Sequence, residues 1–159
     1  MSEKPKIHHR KIVAQSRLFQ IEAQDIEFSN GATRKYERLM RGSASNGAVL
    51  IVPLIDNETV LLIREYSAGV ERYELGLAKG KIDQGETALE AANRELKEEV
   101  GYGARQIEQI SSFSIAPSYM EHMTEIILAQ NLYPEKLPGD EPEELEVVPW
   151  KLDNLAELV

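Results

Sequence analysis

The sequence predicts an α+β fold, and three observations lead to that prediction. Short segments with apolar or alternating patterns are separated by turn residues, which is typical of β-strands. Helical periodicity is confined to one segment in the middle of the chain and a short one at its end. The strands do not alternate with helices in βαβ order, and the sequence has no internal repeat. A length of 159 residues suits one main domain with a small appendage.

The N-terminal part of the chain predicts a three-stranded antiparallel leaf after a loosely held tail, residues 1–10. Asn30 and Gly31 are a hairpin signal, because both residue types tolerate a positive φ. An out-of-phase apolar pattern in the second strand predicts a β-bulge near Gln24. The predicted strands are Lys11–Ser16, Phe19–Phe28 and Thr33–Met40.

The loop Gly42–Asn46 predicts a boundary between the leaf, residues 1–45, and a main domain, residues 46–159. Ala48–Leu54 is a continuous apolar run, which is typical of a strand buried on both faces. A long acidic loop, residues 132–144, precedes the last strand. The other strands predicted in this domain are Thr59–Tyr66, Gln106–Ile115, Thr124–Asn131 and Glu146–Trp150.

Residues 88–100 predict an amphipathic helix. Thr87 is a good N-cap, and Glu90 completes a capping box with it. Gly101 stands where a helix commonly ends in a left-handed residue. At 100° per residue, one stripe of this helix is expected to pack on the core. Its members are Leu89, Ala92, Leu96 and Val100.

Three carboxylates lie at helical spacing beside that stripe, on Glu95, Glu98 and Glu99. Like charges at this spacing repel one another, so a cation is expected among them. Mg²⁺ or Mn²⁺ prefers carboxylate oxygens and completes its coordination with water and phosphate. Such a metal indicates hydrolysis of a phosphate anhydride. The competing interpretation is a solvated acidic helix without a function.

The wider spacing resembles the Nudix box. That motif reads Gly, five residues, Glu, seven residues, then Arg-Glu-apolar-any-Glu-Glu-any-Gly and an apolar residue. The matching residues are Gly80, Glu86, Arg94, Glu95, Leu96, Glu98, Glu99 and Gly101. Tyr102 departs from the motif, because it is larger and more polar than the usual aliphatic residue. The full match outweighs the solvated-helix interpretation, and it implies the Nudix fold, a mixed β-sheet sandwiched by helices.

The resemblance implies a role for each residue of the box. The implied metal ligands are Glu95, Glu98, Glu99 and the carbonyl oxygen of Lys79. Glu98 is also a catalytic candidate. Glu86 resembles the loop glutamate that pairs with Arg94 and ties the loop to the helix. Gly80 is expected to let the backbone come close to the metal, and Gly101 to end the helix.

Outside the box, the chain resembles the ADP-ribose pyrophosphatase branch of the Nudix hydrolases. Matching segments include RLFQIEAQDIEFSNG, LLIREYSAG, YELGLAKGKIDQGET and NLYPEKLPGDEPEELEVVPW, in order between Arg17 and Trp150. The resemblance implies a Mg²⁺-dependent homodimer that hydrolyses ADP-ribose and similar adenosine diphosphate compounds to AMP and a second phosphate product. It also implies that the leaf joins the dimer contact and helps to bind adenosine. Two alternatives stay open, a preference for NADH or diadenosine polyphosphates and a Nudix domain that senses a nucleotide without cleaving it.

The same branch supplies catalytic and substrate-binding candidates beyond the box. It takes its general base from the late acidic loop, where Glu143 and Glu141 match. We expect Glu143 to hold the attacking water or a further metal, with Glu141 assisting. Tyr119 offers a stacking face to adenine or ribose, and packing in the core is the equal alternative. The expected substrate-binding residues are Glu37, Arg41, Arg64, Ala116, Pro117 and Ser118.

The chain departs from this branch at two places near the diphosphate. Ser67 stands where the branch usually has an arginine, and Arg64 or Arg72 is expected to substitute for it. The approach to the box is two residues longer than usual, which adds Lys79 beside the diphosphate. Chains of this branch also tend to continue past Val159, so a further terminal helix is expected.

Composition excludes several other classes of function. A net charge of −9 argues against a nucleic-acid surface, which needs clustered Lys and Arg. The chain has no cysteine, so disulfides and thiol chemistry are excluded. The longest apolar run, Ala48–Ile55, is too short to cross a membrane, and the N-terminus lacks the apolar region of a secretory signal. We expect a cytoplasmic protein whose partners are small molecules and a second copy of itself.

Overall fold

The computed structural model describes residues 3–40 and 47–158, and these divide into two compact units. Residues 3–40 and Ser114–Met123 form the first unit. Residues 47–113 and 124–158 form the second. The predicted boundary loop, Gly42–Asn46, lies outside the described residues.

The first unit is a three-stranded antiparallel sheet in the order β1, β2, β3. The strands are β1 (Lys6–Gln15), β2 (Gln20–Glu27) and β3 (Thr33–Leu39). The prediction of a loose tail through residue 10 is wrong, because β1 pairs with β2 from Lys6 onward. The bulge predicted near Gln24 is also misplaced. The register shifts lie in β1, at His8 and Val13, while β2 and β3 pair without interruption.

The predicted hairpin between β2 and β3 is confirmed, with a different turn conformation. Gly31 has a φ of 77° and donates its N–H to the carbonyl oxygen of Phe28 at 2.9 Å. Asn30 does not adopt the positive φ that the sequence predicted. Instead, its side-chain oxygen accepts a hydrogen bond from the N–H of Ala32 at 3.0 Å, which holds the turn from within.

The buried residues of the leaf include a polar cluster around Glu22. Its Oε1 accepts hydrogen bonds from Gln24 Nε2 at 2.6 Å, Arg38 Nε at 2.9 Å and Arg10 Nη1 at 3.3 Å. The Gln24 bond and the two guanidinium groups hold the pKa of the Glu22 carboxyl below its ordinary value, against the opposing effect of burial. Arg38 also pairs with Glu121, which connects segment Ser114–Met123 to β3.

The second unit is built on a seven-stranded mixed sheet. Its strands are β4 (Ala48–Asp56), β5 (Thr59–Ser67), β6 (Arg72–Gly76), β7 (Lys79–Lys81), β8 (Tyr102–Ser114), β9 (Met123–Pro134) and β10 (Glu146–Lys151). The main order is β10, β5, β4, β9, β8, while β6 pairs with β5 and β7 pairs with β4. The pairing of β4 with β9 is parallel, and β4 is antiparallel to β5 and β7. This arrangement brings β7 to the central strand of the sheet.

The predicted helix is confirmed, but its final turn is not α-helical. Helix α1 (Ala88–Glu95) starts at a capping box formed by Thr87 and Glu90. It continues as a π-helical turn (Leu96–Val100) that ends at Gly101, which has a φ of 84°. A short 3₁₀ helix (Leu152–Leu158) follows β10. Within residues 3–40 and 47–158, no helix is long and apolar enough to cross a membrane.

The buried face of the helix differs from the predicted stripe at one position. Leu89 is 36% exposed, so its assignment to the core was wrong. Ala91 occupies the core instead, together with the predicted Ala92, Leu96 and Val100. The helix packs against β4 and β7 through small alanine side chains, and this close packing sets the distance between the box carboxylates and the strand below.

Candidate active site

Strand β7 passes directly beneath two carboxylates of the helix. A Cβ atom placed on Gly80 would overlap the carboxylate of Glu95. Glycine is therefore required here by space, because any side chain would displace that carboxylate. The neighbouring residue, Lys79, donates its backbone N–H to Glu99 Oε2 at 3.0 Å. The two carboxylates thus stand side by side over two consecutive residues of one strand.

Burial makes negative charge costly at both carboxylates. Glu99 is 4% exposed, and burial raises the pKa of its carboxyl to about 8, with the nearby Glu95 carboxylate adding to the shift. Burial likewise raises the pKa of Glu95, against the opposing effect of Arg94. Two neighbouring acids that resist ionisation, the buried Glu99 and the half-buried Glu95, create a strong preference for a cation.

Arg94 is the central cation of the box. Its guanidinium binds both oxygens of Glu86, with Nε to Oε1 at 2.8 Å and Nη2 to Oε2 at 3.0 Å. Nη2 also donates to the carbonyl oxygen of Lys81 at 3.0 Å. Nη1 donates to one oxygen each of Glu95, at 2.7 Å, and Glu98, at 3.0 Å. These bonds raise the pKa of Arg94, and the guanidinium lowers the pKa of Glu86. The loop, β7 and the helix are therefore joined by one side chain.

A second cation, the ammonium group of Lys79, was not anticipated in this role. It forms an ion pair with Glu65, a residue of β5 that the sequence analysis did not single out. The positive charge of Lys79 also favours ionisation of Glu99 and Glu141. It opposes the rise in the pKa of each carboxyl that burial causes, and burial has the larger effect. Two adjacent charged residues, Arg64 and Glu65, directly after the apolar run of residues 60–63 in β5, were the available sequence signal for Glu65.

Two of the predicted catalytic residues line a cavity of about 540 Å³ together with Glu98. These are Glu141 and Glu143, both on the acidic segment before β10. Burial raises the pKa of the Glu141 carboxyl, and the charges of Glu65 and Asp140 raise it further. Glu143 Oε1 instead accepts a hydrogen bond from the hydroxyl of Tyr73 at 2.8 Å, which raises the pKa of that hydroxyl. The two glutamates therefore have different partners.

The donor atoms of the box residues are of the type that a hard divalent cation prefers. The donors are carboxylate oxygens and a backbone carbonyl, which Mg²⁺ and Mn²⁺ prefer, and burial raises the pKa of two of the carboxyls, those of Glu95 and Glu99. In the described ranges, no three acidic or histidine side chains surround one point closely enough to hold an ion as they stand. Arg94 binds one oxygen each of Glu95 and Glu98. The three predicted ligands therefore lie next to one another, but they do not surround one common position.

The predicted substrate-binding residues are divided between the two units. In the first unit, Glu37, Pro117 and Ser118 line a cavity of about 260 Å³ together with Tyr119. Ala116 accepts hydrogen bonds from the N–H groups of Tyr119, at 3.1 Å, and Met120, at 2.8 Å, which closes a tight turn. The predicted contact of Arg41 lies outside the described residues.

The two arginines predicted to replace the missing one at Ser67 lie differently. Arg64 projects from the opposite face of β5 to Glu65, and its Nε binds Glu146 Oε2 at 2.8 Å. Arg72 stands directly opposite Ser67 in the β5–β6 pairing, so their side chains share a face with Glu65. Arg72 forms an ion pair with Glu74, so each of the two arginines is held by a glutamate.

Comparison with known proteins agrees with this geometry. Residues 5–38 match the NudE-type Nudix hydrolase N-terminal domain, and residues 45–158 match the NUDIX domain. The chain belongs to the Nudix hydrolase family. The family and the α+β Nudix fold predicted from the sequence are confirmed, and this Nudix chain is a pyrophosphohydrolase.

Three relatives of this Nudix hydrolase are informative. It is 51% identical over 157 residues to ADP compounds hydrolase NudE of Escherichia coli, covering 99% of this chain and 83% of that protein. It is 28% identical to ADP-ribose pyrophosphatase of Bacillus subtilis, covering 94% and 82% of the two chains. A crystal structure of ADP compounds hydrolase aligns with a TM-score of 0.89 and 50% identity, over 99% of this chain and 84% of that one.

The close approach at Gly80 predicts a large effect of a single methyl group. Gly80→Ala should displace the Glu95 carboxylate and lower the free energy of unfolding by about 1–3 kcal/mol. Gly76→Ala is the matched control, because a Cβ there meets nothing within 4 Å, and its effect should stay below about 0.5 kcal/mol. Urea denaturation of both variants measures this difference. Equal stability of the two variants would contradict the assigned packing.

Proposed function

We propose that this Nudix hydrolase cleaves the diphosphate of ADP-linked compounds such as ADP-ribose, releasing AMP and a second phosphate product. The observation that carries the proposal is the pair of neighbouring carboxylates, the half-buried Glu95 and the buried Glu99, held over Lys79 and Gly80. The ADP-linked class is supported by two relatives, the ADP compounds hydrolase of Escherichia coli and the ADP-ribose pyrophosphatase of Bacillus subtilis.

The proposed cofactor is Mg²⁺, with Mn²⁺ as a substitute. Glu95, Glu98, Glu99 and the carbonyl oxygen of Lys79 would hold it, because all four supply hard oxygen donors around β7 and the helix end. When bound, such an ion neutralises phosphate charge and lowers the pKa of a bound water. Arg94 orients two of these carboxylates and is itself fixed by Glu86.

Glu141 is the proposed general base. A base must reach the attacking water with a pKa near the working pH, and burial raises the pKa of Glu141 in that direction. Glu141 also lies close enough to Glu98 and Glu99 for their charges to interact. Glu143 lines the same cavity but is bound to Tyr73, so we assign it the assisting role, the reverse of the order expected from the sequence.

The adenosine part of the substrate is proposed to contact the first unit. Glu37 and the turn Ala116–Ser118 flank a cavity there, and Tyr119 is 59% exposed and can stack on a base. Arg41 is proposed as a further contact on the resemblance alone. Arg64 or Arg72 is proposed to contact the diphosphate in place of the arginine missing at Ser67, on release from its partner, Glu146 or Glu74.

The first experiment measures AMP release from ADP-ribose, NADH, diadenosine triphosphate and ADP-glucose, with Mg²⁺ and with EDTA. Glu99→Gln should lower kcat by at least about 100-fold, because it removes a ligand charge from the centre. The control is Glu108→Gln, the same change at an exposed residue of β8. Ranking the four substrates identifies the preferred leaving group. Binding of ADP-ribose without any turnover would refute hydrolysis and indicate a nucleotide sensor.

The roles of the two loop glutamates are separable by the same substitution at each. Glu141→Gln should lower kcat for ADP-ribose by about 100-fold with little change in KM, because the base acts in the chemical step. Glu143→Gln should lower kcat less than about tenfold, since Gln can still accept the Tyr73 hydroxyl bond. Steady-state kinetics of both variants decide the order. The opposite ranking would transfer the base to Glu143.

A cytoplasmic homodimer that contacts its partner through the leaf is the proposed form of the protein. Apolar side chains of the leaf are exposed, at 41% for Ile7, 47% for Val13 and 54% for Phe19, which is typical of a surface covered by a partner. Phe19→Glu should therefore shift sedimentation toward the 17.9 kDa monomer. Ile110→Glu, at a similarly exposed residue of β8, should not. A wild-type protein that sediments as a monomer would refute the dimer.

A further inference from the structure

The π-helical turn at the end of the helix changes which backbone carbonyls need hydrogen-bond donors. Gly101 donates its N–H to the carbonyl oxygen of Leu96 at 3.1 Å, five residues back. A continuous α-helix would direct this N–H to Lys97 instead. The carbonyl oxygen of Lys97 therefore loses its helical donor, and the carbonyls beyond it lie at a helix end, where such donors are missing.

Segment Glu135–Leu137, which we call the clamp, supplies donors to three of these carbonyls. The N–H of Leu137 binds the carbonyl oxygen of Lys97 at 3.2 Å, and the N–H of Glu135 binds that of Gly101 at 3.0 Å. Between them, Lys136 Nζ donates to the carbonyl oxygen of Glu98 at 2.7 Å. This is the one bond of the three that depends on a side chain. A positive charge at a helix C-terminus is also favoured by the helix dipole.

The clamp is held from the helix side as well. Lys97 Nζ forms an ion pair with Glu135 Oε2 at 2.9 Å, and this pairing raises the pKa of Lys97 and lowers that of Glu135. The helix end and the clamp are therefore joined by two backbone bonds, one ion pair and the Lys136 bond.

Both groups of acidic residues at the site are attached to this junction. Glu98 and Glu99 lie on the π-helical turn itself. The clamp continues directly into Gly139, where an added Cβ would come within 3.6 Å of Glu98 Cβ, and then into Glu141. The bond from Lys136 to the backbone of Glu98 thus connects the segment that carries the proposed base to the residue that carries a proposed metal ligand.

We propose that Lys136 is a positioning residue for hydrolysis, which holds the acidic segment against the π-helical turn so that Glu141 keeps its place beside Glu98 and Glu99. Lys136 is exposed and its bond is made to a backbone atom, so it acts through the carboxylates and does not touch the reacting groups. The inference rests on the proposed function for its effect on turnover. Its effect on metal binding and on the clamp is measurable without substrate.

The test compares Lys136→Met, which removes the donor, with Lys136→Arg, which keeps one. Lys151→Met is the control. Lys151 is an exposed lysine on the edge strand β10, and it pairs with Glu58. Lys136→Met should lower kcat for ADP-ribose about tenfold and leave KM within about threefold. Calorimetric titration with Mn²⁺ alone should show affinity weakened about tenfold. Amide hydrogen exchange at Glu135 and Leu137 should become faster, and Lys136→Arg should recover most of each loss.

Two results would overturn the inference. One is a Lys136→Met variant whose kcat, Mn²⁺ affinity and amide exchange all stay within about twofold of the wild type, as a surface lysine without a role would give. The other is equal loss in Lys136→Arg accompanied by a large fall in Tm, which indicates general destabilisation. A wild-type protein that hydrolyses no ADP-linked compound would refute the proposed function separately, since the Mn²⁺ and exchange measurements still test Lys136.

Discussion

The arrangement of the second unit depends on how closely β7 approaches the helix at Gly80. That contact leaves room for the Glu95 carboxylate and places the N–H of Lys79 against Glu99. Alanines at positions 91 and 92 permit the approach from the helix side, because larger side chains would hold the helix away from the sheet. Packing between small residues therefore brings Glu99 into a buried position and Glu95 into a half-buried one, where burial raises the pKa of both carboxyls.

The acidic centre is organised by three cations that act in different ways. Arg94 makes a planar, multiply bonded junction among the loop, β7 and the helix, which a lysine could not reproduce. Lys79 places its ammonium charge near the carboxylates of Glu65, Glu99 and Glu141. Lys136 binds the helix backbone and affects the carboxylates only indirectly. Although the net charge of the chain is negative, these positive side chains offset part of the negative charge of the carboxylates at the site.

The first unit is stabilised in another manner, since its buried residues include a hydrogen-bonded polar cluster. Glu22 accepts bonds from Gln24 and two arginines, so its burial is compensated. Removing one partner would leave a buried carboxylate with fewer donors, which costs more than the lost bond itself. Arg38 serves both Glu22 and Glu121, so this cluster also fixes the turn at Ala116–Ser118 relative to β3.

Features that depend on local spacing could be predicted from the residues alone. The capping box at Thr87, the end of the helix at Gly101 and the hairpin at Gly31 follow from residue types at fixed intervals, as does the family match of the box. The α+β class followed from the strand patterns in the same way. Local interactions act over a few residues, so a linear pattern is enough to reveal them.

Features that depend on contacts distant along the chain could not be predicted in this way and became visible in the folded protein. The π-helical turn and the clamp join residues about 40 positions apart, and no periodicity reports a bond from Lys136 to the backbone of Glu98. The bulges fell in β1 because register is a property of two paired strands, whereas the prediction considered one. The sequence placed Glu143 ahead of Glu141, and their different neighbours, Tyr73 for Glu143 and Glu65 for Glu141, are the basis of the reversed order that we propose. The proposed roles rest on the electrostatics of packed neighbours, which only folding brings together.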